Sequence, residues 1–92
     1  MLHEVFLPKT GIYMDDVQLL EWLVDEGASV QQGDVLFRME TNKVELDVEA
    51  EASGLLHRGA EVGNDYPIGT VIGWIAEDEV AYRHLVDSGE AG

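Results

Sequence analysis

Short apolar runs, each bounded by turn-forming residues, follow one another along the first 77 residues. They are five to eight residues long and often β-branched, which is typical of strands rather than helices. The segments between them contain Gly, Pro, Asp and Asn, which supply the backbone angles that turns need. The pattern predicts an all-β fold, a flattened barrel or sandwich that hides the edges of many short strands. The runs lie at 3–8, 17–24, 35–41, 44–49, 54–58 and 70–77.

Two neighbouring runs, 35–41 and 44–49, predict a hairpin with Asn42 and Lys43 as its turn residues. This register sets apolar residues against apolar residues on the inner face and an arginine against an aspartate on the outer face. A shift by one residue would lose every match. The expected pairs are Phe37 with Val48, Met39 with Leu46 and Arg38 with Asp47, and the expected inward residues of the second strand are Val44, Leu46 and Val48.

Lys43 is distinctive because the chain has only two lysines, Lys9 and Lys43, and because the register sets Glu40 against Glu45 beside the turn. Two like charges in direct opposition cost about 0.2 to 1 kcal/mol. An exposed amine on a stiff hairpin is suited to covalent modification. A lysine that only makes a turn more soluble is the alternative that the turn alone leaves open.

A weak internal repeat predicts two halves with related turns. GASV at 27–30 and GDVLF at 33–37 resemble GAEV at 59–62 and GTVIG at 69–73. Aligned in this way, the second half carries a four-residue insertion in its loop. We expect the two halves to meet near residue 43.

The strand pattern stops at Glu77. The sequence that follows, EDEVAYRHLVDSGEAG from residue 77, predicts a short helix or a tail ending in linker-like residues. We expect this segment to contribute little to the core. The predicted organisation is one domain over 1–78 and a C-terminal tail or linker over 79–92.

The chain is strongly acidic, with 19 Asp and Glu residues, 5 Lys and Arg residues and a formal net charge of −14. Such a charge repels nucleic acid and anionic membranes, so neither is an expected partner, whereas basic protein surfaces are. No apolar run approaches the roughly 20 residues of a membrane span, and the N-terminal residues lack the features of a signal peptide. The absence of cysteine excludes disulfides, thiolate metal sites and a thiol nucleophile.

The other polar residues predict no catalytic residue and no metal ligand. His3, His57 and His84 are isolated along the sequence and are expected on the surface. The serines have no nearby base, and no glycine-rich phosphate loop is present. Trp22 and Trp74 lie within strand runs and are expected to pack in or beside the core.

Several segments resemble the lipoyl domain of 2-oxoacid dehydrogenase acyltransferases, namely METNKV between two strands, DEGASVQQGDVL before it, ASGLL after it and LPKTGIYMDDVQLLEWLV near the start. The resemblance covers about residues 3–78. It implies two four-stranded antiparallel sheets with an approximate twofold axis and the modified lysine, here Lys43, at a hairpin tip. The family has a glycine 16 residues before this lysine and another 11 residues after it, and Gly27 and Gly54 occupy these positions.

This resemblance implies a carrier domain without catalysis of its own. Lipoate on Lys43 would shuttle acyl groups and reducing equivalents within a 2-oxoacid or acetoin dehydrogenase complex. The implied partners are a lipoylating enzyme, a thiamine-diphosphate-dependent 2-oxoacid decarboxylase, an acyltransferase catalytic domain and dihydrolipoamide dehydrogenase. A monomeric domain in a bacterial cytoplasm or a mitochondrial matrix is expected. The residues implied in recognition for modification are Glu40, Thr41, Asn42, Val44, Gly27 and Gly54.

Asn42 departs from the family pattern, which usually has Asp at this position, so one negative charge beside the lysine is absent. The alternatives are a biotinyl carrier domain, whose lysine lies between two methionines, and an unmodified interaction module.

A second recognition element is implied by the loop after the first strand, which in related lipoyl domains helps the decarboxylase to select its carrier. Here this loop spans residues 8–16, and its Gly-Ile-Tyr-Met segment is closest to acyltransferases of the acetoin or general 2-oxoacid type. A simple connecting loop is the alternative. The candidate recognition residues are Lys9, Tyr13, Asp15 and Asp16.

Overall fold

The computed structural model describes residues 2–9, 16–41 and 44–88, which form eight strands and one helix. Six strands coincide with predicted runs, and β4, β5 and β6 do so residue for residue. The elements in chain order are β1 (Leu2–Phe6), β2 (Asp16–Trp22), β3 (Ser29–Val30), β4 (Val35–Thr41), β5 (Val44–Glu49), β6 (Gly54–Arg58), β7 (Asp65–Pro67), β8 (Val71–Ala76) and α1 (Glu79–Ser88).

The strands form two four-stranded antiparallel sheets, which confirms the predicted fold class. The first sheet has the order β1-β8-β6-β3, and the second has the order β5-β4-β2-β7. Each strand of the first sheet corresponds to the strand four places away along the chain in the second. This correspondence gives the fold its approximate internal twofold symmetry, and it makes the β4–β5 hairpin the counterpart of the β8–β1 pair.

Strands β3 and β7 are the two that the sequence pattern did not predict. They are two and three residues long and lie in segments that we assigned to turns. β3 pairs with β6, and β7 pairs with β2. Strands this short show no alternation of apolar and polar residues, so periodicity cannot reveal them.

The predicted alignment of the internal repeat was wrong. Gly27 and Gly63, like Gly33 and Gly69, lie 36 residues apart, and all four have positive φ, at 81°, 86°, 99° and 89° respectively. The Gly27 N–H donates to Leu56 O, and the Gly63 N–H donates to Leu19 O, both at 2.7 Å. The halves therefore align here without an insertion, because a turn glycine and a short strand recur at one spacing.

Buried apolar side chains from both sheets form one core cluster. Their alternation along the strands explains the inward faces that we predicted, with one exception. Val44 is 54% exposed rather than buried, because it lies at the hairpin end beyond the last core-facing pair, whereas Leu46 and Val48 are partly buried against the core. The largest buried side chains are Phe37, Leu7, Leu19, Leu36, Met39, Leu56, Ile72 and Ile75.

Helix α1 packs against β6 and β8 of the first sheet. Asp78 caps its N-terminus, since its Oδ1 accepts a hydrogen bond from the Ala81 N–H at 2.9 Å. Leu85 is only 3% exposed, although it lies outside the main core cluster. The segment after Glu77 thus contributes more apolar burial than we expected. Over the described residues, no helix has the length and apolar character that crossing a membrane requires.

Candidate functional site

The β4–β5 hairpin has the register that the side-chain pattern predicted. Its apolar pairs lie on the inner face, and Arg38 faces Asp47 on the outer face. The next pairs toward the connection are Glu40 with Glu45 and Thr41 with Val44. The pairing therefore continues up to the two-residue connection. The other confirmed pairs are Phe37 with Val48 and Met39 with Leu46.

The inner face of the hairpin is fixed by burial of Phe37 and Met39, both of which are fully buried. The Phe37 ring meets Trp22 of β2 edge to face, with centroids 5.6 Å apart and planes inclined at 62°. Trp22 is itself held by a hydrogen bond of 3.0 Å from its Nε1–H to Ala60 O. Removing a buried aromatic side chain costs about 3 to 5 kcal/mol. These contacts lock the register of β4.

The outer face carries one cation between two acids. Arg38 Nε donates to Asp47 Oδ1 at 2.9 Å, and Arg38 Nη1 lies 3.9 Å from Glu21 Oε1. The hydrogen bond and the charge of Asp47 raise the pKa of Arg38. An exposed pair of this kind adds little to stability, but it favours this register over its neighbours.

The end of the hairpin is acidic, and its β5 side is exposed. Glu40 and Glu45 face each other across the strands, one pair before Thr41 and Val44. Asn42 and Lys43, the predicted modification site, lie outside the described residues. The connection between β4 and β5 contains one primary amine, that of Lys43, and an amine is the nucleophile that amide formation requires.

Gly54 lies in the first sheet and Gly27 lies in the turn before β3, so neither is in the sheet that contains the hairpin. Gly54 begins β6 at a φ of 154°, and a Cβ placed there would lie 2.1 Å from Ala76 O. Gly27 has a φ of 81°, and its N–H donates to Leu56 O. The positive φ of Gly27 and the close backbone approach at Gly54 explain why glycine suits these two positions. Both glycines serve packing of the first sheet, and their role in recognition stays a prediction.

The predicted partner loop is described only at its two ends. Lys9 is exposed, and Asp16 is the exposed first residue of β2, where it pairs with Pro67. Tyr13 and Asp15 lie outside the described residues. A role in partner recognition for these four residues stays a prediction.

One polar cluster escaped the sequence analysis, and its centre is Glu26. The Glu26 carboxylate accepts hydrogen bonds from the Arg58 N–H at 2.7 Å and the Tyr82 hydroxyl at 2.8 Å, and it lies 2.6 Å from His57 Nδ1. His57 is stacked on Trp74 with centroids 6.0 Å apart. It is therefore a partnered, half-buried residue rather than the surface residue that we expected.

The contacts of the Glu26 cluster also shift the pKa values of Glu26 and Tyr82, the two groups that join α1 to the first sheet. Partial burial raises the pKa of Glu26, but the hydrogen bonds from His57, Arg58 and Tyr82 outweigh this effect and hold its pKa below the ordinary value. The same contact, from the Tyr82 hydroxyl to Glu26, raises the pKa of Tyr82. The carboxylate at Glu26 thus fastens α1 to the barrel.

Comparison with known proteins places the chain in a family. The family model described as biotin-requiring enzyme, which covers biotinyl and lipoyl domains, matches residues 3–75. This match includes every strand except the start of β1 and the end of β8.

Relatives with curated descriptions agree with the family match. A dihydrolipoyllysine-residue acetyltransferase component of the acetoin cleaving system from Pseudomonas putida is 33% identical over 79 residues, covering 85% of this chain and 21% of the relative. The corresponding component from Cupriavidus necator is 33% identical and covers 90% of this chain and 22% of the relative. A dihydrolipoyllysine-residue succinyltransferase component of the 2-oxoglutarate dehydrogenase complex from Bacillus subtilis is 32% identical and covers 80% and 18%. The chain spans about a fifth of the length of these relatives.

Proposed function

The chain belongs to the family of biotinyl and lipoyl carrier domains, and on that premise we propose that Lys43 carries lipoate in amide linkage. The observation that supports this most strongly is the hairpin register, in which the paired strands end at Thr41 and Val44. Only Asn42 and Lys43 connect them, and Lys43 is the one amine in this connection. Membership of a carrier family and the position of this lysine at the hairpin connection both support the proposal.

The residues around Lys43 fit lipoate better than biotin. Lys43 lies between Asn42 and Val44, so neither of the methionines that flank a biotinyl lysine is present. Glu40 and Glu45 add two carboxylates in direct opposition beside the connection. The relatives described above are named for a dihydrolipoyllysine residue. These observations favour lipoate as the group that this chain carries.

The role of the protein in this proposal is presentation. When bound, lipoate supplies a dithiolane that can take up an acyl group and two electrons. The chain contributes a hairpin whose register is fixed by Phe37 and Met39 on the inside and by Arg38 and Asp47 on the outside. A fixed register presents the same lysine and the same flanking acids to every enzyme that handles the arm. Tethering then raises the effective concentration of the arm at each active site.

The complex that this domain serves belongs to the same proposal. The relatives come from acetoin and 2-oxoacid dehydrogenase systems, so we assign the domain to a complex of this class. Its partners would be a lipoylating enzyme, a thiamine-diphosphate-dependent decarboxylase, an acyltransferase catalytic domain and dihydrolipoamide dehydrogenase. The net charge of −14 favours basic docking surfaces on these enzymes.

The experiment that tests this function is modification of the purified chain by a lipoate ligase and, in parallel, by a biotin ligase. Intact mass measurement should show one lipoyl group added with the first enzyme and no addition with the second. The matched control is Lys43→Arg, which should gain neither group. Biotin addition to the wild type would favour the biotinyl carrier, and no addition by either enzyme would favour an unmodified interaction module.

A further inference from the structure

Every second residue of strand β1 in the first sheet is exposed, and these residues are apolar, acidic and apolar in turn. Leu2 is 46% exposed, Phe6 is 42% exposed, and Glu4 lies between them on the same strand. Trp74 of β8 pairs directly with Glu4 and is half-buried. Single exposed apolar residues are ordinary, but two large ones on one strand, with an acid between them and a half-buried tryptophan beside them, point to an interaction surface.

The same strand borders an open edge. β1 is the terminal strand of the first sheet, and β5 is the terminal strand of the second. A crevice of about 190 Å³ runs between them, with Phe6 and Glu4 on one wall and Val48 and Glu49 on the other. A shallow depression on the other side of β1 is lined by Leu2, Glu4, Phe6 and Trp74. β1 is therefore a ridge that is accessible from both sides.

The charges around this ridge all have the same sign at neutral pH. Glu4, Glu49 and Glu51 line the two depressions, and among the described residues no lysine or arginine lines either of them. His3 is the other titratable side chain in these linings. Anionic ligands are therefore repelled, whereas a cationic group with apolar neighbours would find complementary charge and complementary apolar surface.

We propose that this surface, formed by Leu2, Glu4, Phe6, Trp74, Glu49 and Glu51 and here named the β1-edge surface, docks an extended segment of a partner protein with the pattern apolar, any, Lys or Arg, any, apolar. The alternation on β1 has the period of two residues that a strand has. An added strand would place its apolar residues opposite Leu2 and Phe6 and its basic residue opposite Glu4. Its backbone would pair with the open edge of β1.

The proposal concerns recognition by a different strand from the one that precedes Lys43, so it does not depend on lipoylation. A suitable probe is a blocked synthetic peptide with the sequence Leu-Thr-Lys-Thr-Phe, compared with Leu-Thr-Glu-Thr-Phe. Both are titrated into the ¹⁵N-labelled full chain and followed by NMR. We expect the Lys peptide to shift the resonances of β1, of the Glu49 region and of the Trp74 indole N–H. The Glu peptide should bind at least about tenfold more weakly, because it would add a like charge opposite Glu4.

Two variants and one control make the assignment specific. Phe6→Ser should weaken the Lys peptide by at least about tenfold, the loss expected when one aromatic contact is removed. Glu4→Lys should invert the preference so that the Glu peptide binds better. Val80→Ser, which alters a 76% exposed residue on α1, should change nothing. Thermal melts of all three identify any variant that has lost its fold, and Glu4→Lys tests the proposal even if Phe6→Ser unfolds.

The proposal is overturned if the two peptides bind equally, if the shifts map away from β1, or if Glu4→Lys keeps the wild-type preference. It is also overturned if the wild type sediments as a dimer that Phe6→Ser converts to a monomer, because the β1-edge surface would then pair two copies of the chain. Lys43→Arg should bind the Lys peptide as the wild type does. Peptide binding and lipoylation are therefore measured independently, and the failure of one proposal can be distinguished from the failure of the other.

Discussion

Glu40 lies directly opposite Glu45 in the β4–β5 hairpin, one pair before the connection that contains Lys43. The next two pairs away from the connection are complementary, since Met39 faces Leu46 and Arg38 faces Asp47. A like-charge pair at this position costs stability, so its presence at the end of an otherwise favourable hairpin is consistent with a role in recognition by the lipoylating enzyme.

The first prediction separates the effect of the Glu40–Glu45 pair on the stability of the domain from its effect on lipoylation. Glu45→Gln should stabilise the domain by about 0.2 to 1 kcal/mol, because it removes the repulsion from Glu40. The same change should slow lipoylation, because the enzyme loses one of the two flanking carboxylates. Urea denaturation measures the first effect, and the initial rate of lipoate incorporation measures the second. Glu61→Gln is the matched control, since Glu61 is exposed elsewhere, and a normal rate in Glu45→Gln would show that the enzyme ignores this acid.

Gly54 gives the second prediction. Gly54→Ala should destabilise the fold by about 2 to 4 kcal/mol, since the backbone conformation is strained for alanine and the new methyl group would collide with Ala76 O. Gly33→Ala is the control, because Gly33 also has positive φ but a methyl group added there would meet no atom within 4 Å. It should cost only about 1 kcal/mol. Equal losses in the two variants, measured by chemical denaturation, would argue against a steric role for Gly54.

Helix α1 gives the third prediction, through the lowered pKa of Glu26. A carboxyl whose pKa is depressed by folding contributes stability above its unfolded pKa, about 4.3, and this contribution is lost as the pH falls through the lower folded value. The difference in unfolding free energy between the wild type and Glu26→Gln should therefore shrink as the pH is lowered from about 6 to about 3.

This difference removes the contributions that the other carboxylates of the chain make to the pH dependence, because they are the same in both proteins. Hydrogen exchange of the α1 amides should show the same trend, because Tyr82 donates to Glu26. Tyr82→Phe should speed exchange in α1 at neutral pH, whereas Arg83→Gln, which alters the exposed pair with Glu79, should not. A difference in free energy that stays constant with pH would contradict the role of Glu26.

The sequence predicted the hairpin more sharply than any other part of the fold, and the reason is local. Apolar and charged residues alternate on both strands, so one register pairs Phe37 with Val48 and also Arg38 with Asp47. Glu26 was missed because its partners His57 and Tyr82 are 31 and 56 residues away along the chain, with no spacing rule to connect them. The turn glycines Gly27 and Gly63 were in the sequence but were aligned to the wrong positions.

The fourth prediction concerns the position of the lysine. Exchanging the two connecting residues, Asn42→Lys together with Lys43→Asn, should defeat lipoylation although an amine is kept in the same connection. The two positions of a two-residue hairpin loop project differently, and the exchange also changes which flanking acid lies nearest. The fold should be retained, which a thermal melt checks. Modification of the double variant at the wild-type rate would show that any lysine in the connection suffices.

The most direct measurement of the central claim is peptide mapping by mass spectrometry of the wild-type chain after reaction with a lipoate ligase. We predict lipoate on the peptide that contains Lys43 and none on the peptide that contains Lys9, the other lysine of the chain. Lys43→Arg should remove all modification while changing the unfolding free energy by less than about 0.5 kcal/mol. Lipoate on Lys9, or on both lysines equally, would contradict the assignment of Lys43 as the carrier residue.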